Sequence, residues 1–403
     1  MLFHLKRMVN SIAFYPAVIG LTFLVLSYVM IHLDYSDVGK EIKSDFGWLR
    51  LRDAETARSV ISVVAAGILS LTVFSFSMVM IILNQAASQM SNRILDKLIG
   101  NRFQQFVLGF YIGTIVYSLF LLTAIRDIDE GIYVPSLSTY LLILFAVIDI
   151  FLFIYFLHYI TQSVKYVVII RRIGRQTDRA VRKTCRLTSE ATVASPKGGV
   201  DLNARETGIF SNFNKEGLLS LAERHQMVFS FLYPLGTYVL EGAPLLQVQA
   251  QPNQLSEEFN EALFSGIYMQ EEQTIESNFY YGFQQLTEVA LRALSPGIND
   301  PGTAVESLRS LSKLLLYRLH HHPETGVRDK EGVIRIITKE YVFDDIFQMT
   351  FLPIWDYGKN DRFIQKEFLH LLTQLHSARN LPSISRLLLQ VQRHSKLVAI
   401  KMN

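Results

Sequence analysis

Four polar residues recur every seven positions through and beyond the second apolar run of the chain: Ser70, Ser77, Asn84 and Ser91. Seven residues make close to two helical turns, so the four line one helix face. Ser88 and Thr72–Ser75 broaden this stripe, and Gln85, Gln89 and Asn92 carry polarity past the end of the run. A row of hydroxyls and amides suits the wall of a water-filled path. Small polar residues also let two helices approach closely, so the stripe has a packing account beside the functional one. Asp149 is the only acid inside any of the four long apolar runs. A carboxyl at that depth is costly and marks function by default. The bland alternative is a protonated carboxyl, or one hydrogen-bonded to a neighbouring helix. His158 lies nine residues on and points roughly the other way, so a proton relay along one helix is not expected.

A third polar group lies at Ala293-Leu294-Ser295-Pro296-Gly297-Ile298-Asn299-Asp300-Pro301-Gly302-Thr303-Ala304, between two helix-like segments. Pro296-Gly297 cannot continue the first helix. Asp300-Pro301 starts the second, as N-cap and first-turn proline. Ser295, Asn299 and Asp300 thus form a polar corner, read first as a rigid structural joint and second as a ligand or partner contact. A fourth feature is basic. Lys165, Arg171, Arg172, Arg175, Arg179, Arg182, Lys183 and Arg186 follow the fourth apolar run, with Asp178 the only acid among them. Such a flank fixes membrane orientation. Arg171, Arg172, Arg175 and Arg179 would also attract anionic lipid headgroups, at about 1 kcal/mol each near the surface.

Other chemistries find little support. The sequence lacks HExxH, phosphate-loop, dinucleotide and GxSxG motifs, so no catalytic residues and no cofactor are expected. Cys185 is the single cysteine, which rules out an internal disulfide or a cysteine-based metal cluster. His320-His321-His322 are adjacent and point in different directions, so they suit a helix C-terminus better than a metal. A net charge of +3 gives no general affinity for nucleic acid.

The elements that position these residues follow from composition. The 403 residues are 50% hydrophobic and only 19% charged, below the quarter or so typical of soluble domains. Four runs are long enough to cross a bilayer: Ile12 to Leu33, Val60 to Leu83, Phe103 to Ile125 and Leu137 to Ile160. Lys6, Arg7, Arg93, Lys97, Arg102 and the basic flank lie on one side, and the acid-rich loops on the other. The positive-inside rule then makes both termini cytoplasmic, with the acid-rich loops facing outward. The expected organisation is a four-helix transmembrane domain over 1–160, a basic helical extension prolonging the fourth span and a linker over 161–206, and a cytoplasmic α+β domain over 207–403. In that last domain, short β runs at Gly208 to Phe213, Met227 to Tyr233 and Pro234 to Leu246 suggest a small barrel or sandwich. Amphipathic helices about Phe279 to Leu294, Thr303 to Leu319, Phe343 to Trp355, Arg362 to Ser377 and Ser383 to Ile400 suggest a bundle beside it.

The corner from Ala293 to Pro301, with Thr303-Ala304, resembles the hallmark of a bacterial family of predicted membrane proteins, domain of unknown function 2254. Asn84 to Leu95, Tyr155 to His158 and Gly236 to Leu245 match it as well. Gly302 stands where the family has an aromatic, and Asn92 where proline precedes the arginine. The resemblance implies architecture and topology rather than mechanism. The expectation is an oligomeric ion channel or pore-like transporter. Span two would line the path, Asp149 would tune it, and the cytoplasmic domain would assemble or gate it. The alternative is a membrane-anchored sensor or interaction module without transport activity. Expected partners are the lipid bilayer, anionic headgroups and further copies of the chain.

Overall fold

The computed structural model describes residues 14–45, 53–89, 102–128, 131–163, 165–189, 193, 198–250, 255–271 and 273–400. The chain forms two compact units, Met1–Lys165 and Tyr166–Asn403.

Four helices of the first unit are long and apolar enough to cross a membrane: α1 (Phe14–Tyr35), α3 (Ala54–Gln89), α4 (Arg102–Ala124) and α5 (Ser136–Ser163). A short polar helix, α2 (Asp37–Asp45), follows α1, and a hairpin of β1 (Arg126–Ile128) and β2 (Gly131–Tyr133) joins α4 to α5. The 36 residues of α3 rise about 54 Å, well beyond a hydrocarbon core of about 30 Å. Glycine spacing explains the α1–α4 contact. A Cβ on Gly109 would meet the Pro16 backbone at 3.0 Å, and one on Gly113 would meet the Phe23 ring at 2.6 Å. The two glycines therefore let the backbones close up. Phe23 then sits against Phe110 and Phe145 at centroid distances of 5.1 and 4.9 Å.

Asp34, at the end of α1, is fully buried and holds the start of α5. Its carboxylate accepts from Leu137 N (3.0 Å), Ser138 N (2.7 Å) and Ser138 Oγ (2.5 Å). Lys43 from α2 completes the arrangement at 3.2 Å. A carboxylate at a helix N-terminus satisfies otherwise unpaired amides and meets the positive end of the helix dipole.

The second unit begins with α6 (Tyr166–Thr184). The basic stretch was expected to prolong span four and lead into a linker. Instead the helical run is interrupted at Lys165, and α6 is a core helix of this unit. Its apolar face explains this. Ile169, Ile170, Ile173, Thr177 and Val181 are buried against α9 (Phe279–Ala293) and α10 (Pro301–His320). Gly282 of α9 leaves room for Thr177, and Gly174 of α6 leaves room for Ser310. After α6, β3 (Cys185–Leu187) pairs antiparallel with β10 (His322–Pro323), and β4 (Val200–Asn203) joins a sheet. The expected linker thus contributes strands.

The β part has two small sheets. The larger runs β11 (Gly326–Arg328), β12 (Ile334–Lys339), β6 (Phe229–Pro234), β8 (Pro244–Val248), β4, with β12 and β6 parallel and the rest antiparallel. The smaller runs β7 (Tyr238–Val239), β5 (Gly208–Phe213), β9 (Ile267–Gln270). Phe210, Phe229, Phe231, Leu246 and Ile336 form their core, with Leu218 of α7 (Lys215–His225) and Leu263 of α8 (Glu257–Ser265). Side chains cap several helices: Asn214 accepts from Gly217 N, Ser256 from Phe259 N and Asn278 from Tyr280 N. The remaining helices are α11 (Phe343–Gly358), α12 (Arg362–Ala378) and α13 (Pro382–Ile400). Trp355, Phe351 and Phe368 pack edge-on where α11 meets α12.

Candidate functional site

The stripe of α3 divides into two faces. Ser70, Ser77 and Asn84 are exposed, whereas Ile61, Ile68 and Ser75 are buried. Ser70 and Ser77 bond back to their own helix, at Ala66 O and Val73 O, both at 2.9 Å. The three polar side chains therefore lie on the face turned away from the other spans, and α3 is the least buried of the four. Ser75 does not belong to that stripe: at 100° per residue it stands roughly 140° from Ser70 and 160° from Ser77. Ser88 lies within α3, but its side chain is outside the described residues, as is Ser91 altogether.

Ser75 belongs to a second constellation. It is buried with no hydrogen-bond partner, as are the Tyr111 hydroxyl of α4 and both carboxyl oxygens of Asp149 on α5. Asp149 lies midway along its 28-residue helix and is 0% exposed. Thr114, one turn from Tyr111, is the hydroxyl beside the carboxyl, but donates to Phe110 O at 3.1 Å. A cleft of about 280 Å³ runs between α3, α4 and α5, with Ser75, Gln105, Tyr111 and Phe156 among its lining. Hydroxyl spacing alone would not have found this cluster, because it draws one group from each of three helices.

In the second unit, the corner is a closed joint. Asp300 caps α10, accepting from Thr303 N (3.1 Å) and Thr303 Oγ1 (2.6 Å). Its own amide donates to Ala293 O at 2.8 Å. Ser295 Oγ donates to Arg292 O at 2.7 Å, and Asn299 takes the left-handed turn with φ 48°. Asn tolerates that conformation better than most residues. The corner also faces the start of α6: burial and the Asp300 carboxylate push the Tyr166 hydroxyl up, while Arg292 opposes them. The side chains of Ser295 and Asp300 are thus engaged within the fold. Arg171, Arg172, Arg175 and Arg179 are all exposed on the outer face of α6. His321 stacks flat on Tyr317 at 3.9 Å, and no cluster of metal-ligating side chains occurs among the described residues.

Residues 9–374 match the family model described as predicted membrane protein (DUF2254). The chain belongs to this family. An uncharacterised protein of Mycobacterium bovis and one of Mycobacterium tuberculosis are each 25% identical to it over 328 residues. The alignment covers 79% of this chain but only 63% of either relative, so the chain spans less than two thirds of their length. No solved structure matches significantly.

This DUF2254 chain holds one more buried polar group that its sequence did not announce. Tyr280 of α9 donates to Glu340 Oε2 at 2.9 Å. Arg318 of α10, 1% exposed, donates to His321 O and to Tyr341 O (3.3 Å), while its Nε has no partner. Burial pushes the Glu340 carboxyl up to about 6 from 4.5, against the opposing pull of Tyr280 and Arg318. The folded protein then binds more protons than the unfolded chain between these values. Stability should rise as pH falls from 6 towards 4.5, by about 2 kcal/mol in all. Unfolding midpoints measured across that range should show the slope in the wild type and lose it in Glu340→Gln.

Proposed function

We propose that the protein is one subunit of an oligomeric ion channel or pore-like transporter in a bacterial inner membrane, with both termini cytoplasmic. The observation that carries this reading is the outward placement of Ser70 and Ser77 on the least buried span, with Asn84 continuing their line towards the helix end. Hydroxyls turned to lipid gain nothing beyond the bonds they make to their own helix, whereas copies of α3 around an axis would give them water and one another. The second unit would assemble or gate the ring, with Ser295, Asn299 and Asp300 as a fixed joint or subunit contact. The exposed arginines of α6 would take anionic headgroups. Neither catalysis, a cofactor nor nucleic acid enters this reading.

Single-channel recording of the purified full chain in planar bilayers tests it. Unitary currents are expected, with conductance reduced several-fold in Ser77→Leu. Silent bilayers, or currents indifferent to substitution at Ser70 and Ser77, would sink the pore. The second reading, a membrane-anchored sensor, draws on the separate core of the second unit. A particle mass equal to one chain in detergent would favour it, because four helices are too few to enclose water.

A further inference from the structure

We propose that Asp149 is a reversible proton-binding site inside the membrane unit, reached through the cleft between α3, α4 and α5. Three observations converge. Asp149 is completely buried midway along α5, and neither carboxyl oxygen has a hydrogen-bond partner. The Tyr111 and Ser75 hydroxyls are also buried and unpartnered, and both line the cleft. Tyr111 stands one helical turn from Thr114, the hydroxyl beside the Asp149 carboxyl, so one stretch of α4 runs from the cleft towards the carboxyl. Buried polar groups are normally paired, and a cluster of exceptions needs a reason. An unpaired carboxylate at that depth must be neutralised.

A proton neutralises it most simply. Hard metal cations take six or more oxygen ligands. Here the donors would be one carboxylate and three hydroxyls, carried by helices whose carbonyls are committed to their own backbone. The proton would enter along the cleft that Gln104 and Gln105 line together with Ser75 and Tyr111. Asp149 alone passes from carboxylate to carboxylic acid, and no redox partner is needed.

The surrounding titratable groups leave this assignment to Asp149. From α4, Tyr111 acts on it, whereas Tyr117 donates to Ser138 O. From α1, Asp34 is paired with Lys43, and Tyr28 and His32 are exposed. Glu55 and Arg58 lie in the first turns of α3. On α5 itself, Tyr155 and His158 are exposed, Tyr159 packs on Phe103, and Tyr140 lies nine residues away on the opposite side.

The test is modification of the full chain by dicyclohexylcarbodiimide, which reacts with protonated carboxyls in apolar surroundings, read by peptide mass spectrometry. Asp149 should be labelled in acid, and the rate should fall about tenfold per pH unit above its titration midpoint. The cleft variant Val79→Trp should slow labelling at least several-fold without moving that midpoint. An infrared carboxylic C=O band should vanish in alkali, be absent in Asp149→Asn and return in Asp149→Glu. Labelling that never occurs, or that ignores pH, overturns the proposal. Protection by sodium at constant pH would assign the site to a metal cation instead and overturn it too. An unchanged rate in Val79→Trp overturns the route. The assignment does not depend on conduction: a silent protein with a titrating Asp149 would lose the pore and keep this site.

Discussion

Asp34→Ala should unfold the membrane unit more readily than any other single polar substitution in it. The change strips the cap from α5, leaving the Leu137 and Ser138 amides and the Ser138 hydroxyl without their acceptor. It also removes the carboxylate partner of Lys43, a side chain only 17% exposed that keeps its bond to the Asp34 carbonyl at 2.6 Å. Breaking a buried ion pair by removing one partner costs about 3–5 kcal/mol, far above the roughly 1 kcal/mol of an ordinary lost cap. Asp34→Asn keeps an acceptor for one amide but loses the charge, and should cost about 2 kcal/mol. Unfolding in mixed detergent micelles, followed by circular dichroism, would measure both. A cost for Asp34→Ala within about 0.5 kcal/mol of zero, the level of a bland surface change, would show that the cap is dispensable.

Arg318→Ala is the counterpart in the second unit. It deletes a buried side chain, takes the Arg318 donor from the His321 carbonyl, leaves the Tyr341 carbonyl with the Tyr280 hydroxyl alone and removes the cation that steadies Glu340. The expected loss is about 3–5 kcal/mol. Arg318→Met separates the contributions. It fills the space, so what remains is the cost of the unpaired groups, about 1–3 kcal/mol. Both variants should also move the Glu340 titration upward, since Arg318 holds it down. The pH slope of stability should then extend above about 6 in either variant. If denaturant midpoints shift equally in the two variants, the lost volume contributes nothing. A Glu340 titration that stays in place would remove the electrostatic link.

Local chemistry made much of this protein legible in its sequence. The membrane spans show as apolar runs, and the ends of α4 and α5 fall within three residues of those expected. Asp300-Pro301 announced the start of α10, because cap and first-turn proline are short-range signals. What stayed hidden depends on distant partners. Asp34 looked like one acid of a polar loop, since the amides it holds lie over 100 residues further on. Arg318 and Glu340 read as ordinary charges until α9 and α10 brought Tyr280 between them. The break at Lys165 carries no proline or glycine, so nothing local ended the helix. The packing of α6 on α9 and α10 decides it. Ser75 is a different case: helical periodicity already set it apart from Ser70 and Ser77, but its neighbours Tyr111 and Asp149 were needed to give the difference meaning.

The length of α3 bears on where water can be. Transmembrane helices tilt by at most about 40°, and at that tilt a core of about 30 Å holds roughly 26 residues. With 36 residues, α3 must therefore leave about ten outside the hydrocarbon. Its polar ends, the first turn from Ala54 and the last from Asn84, are the natural surplus. Asn84 is then hydrated at the interface whether or not a pore exists, and its polarity says nothing about conduction. Ser70 and Ser77, which no tilt can bring to an interface together, are the two positions at which a dry helix and a wet one differ.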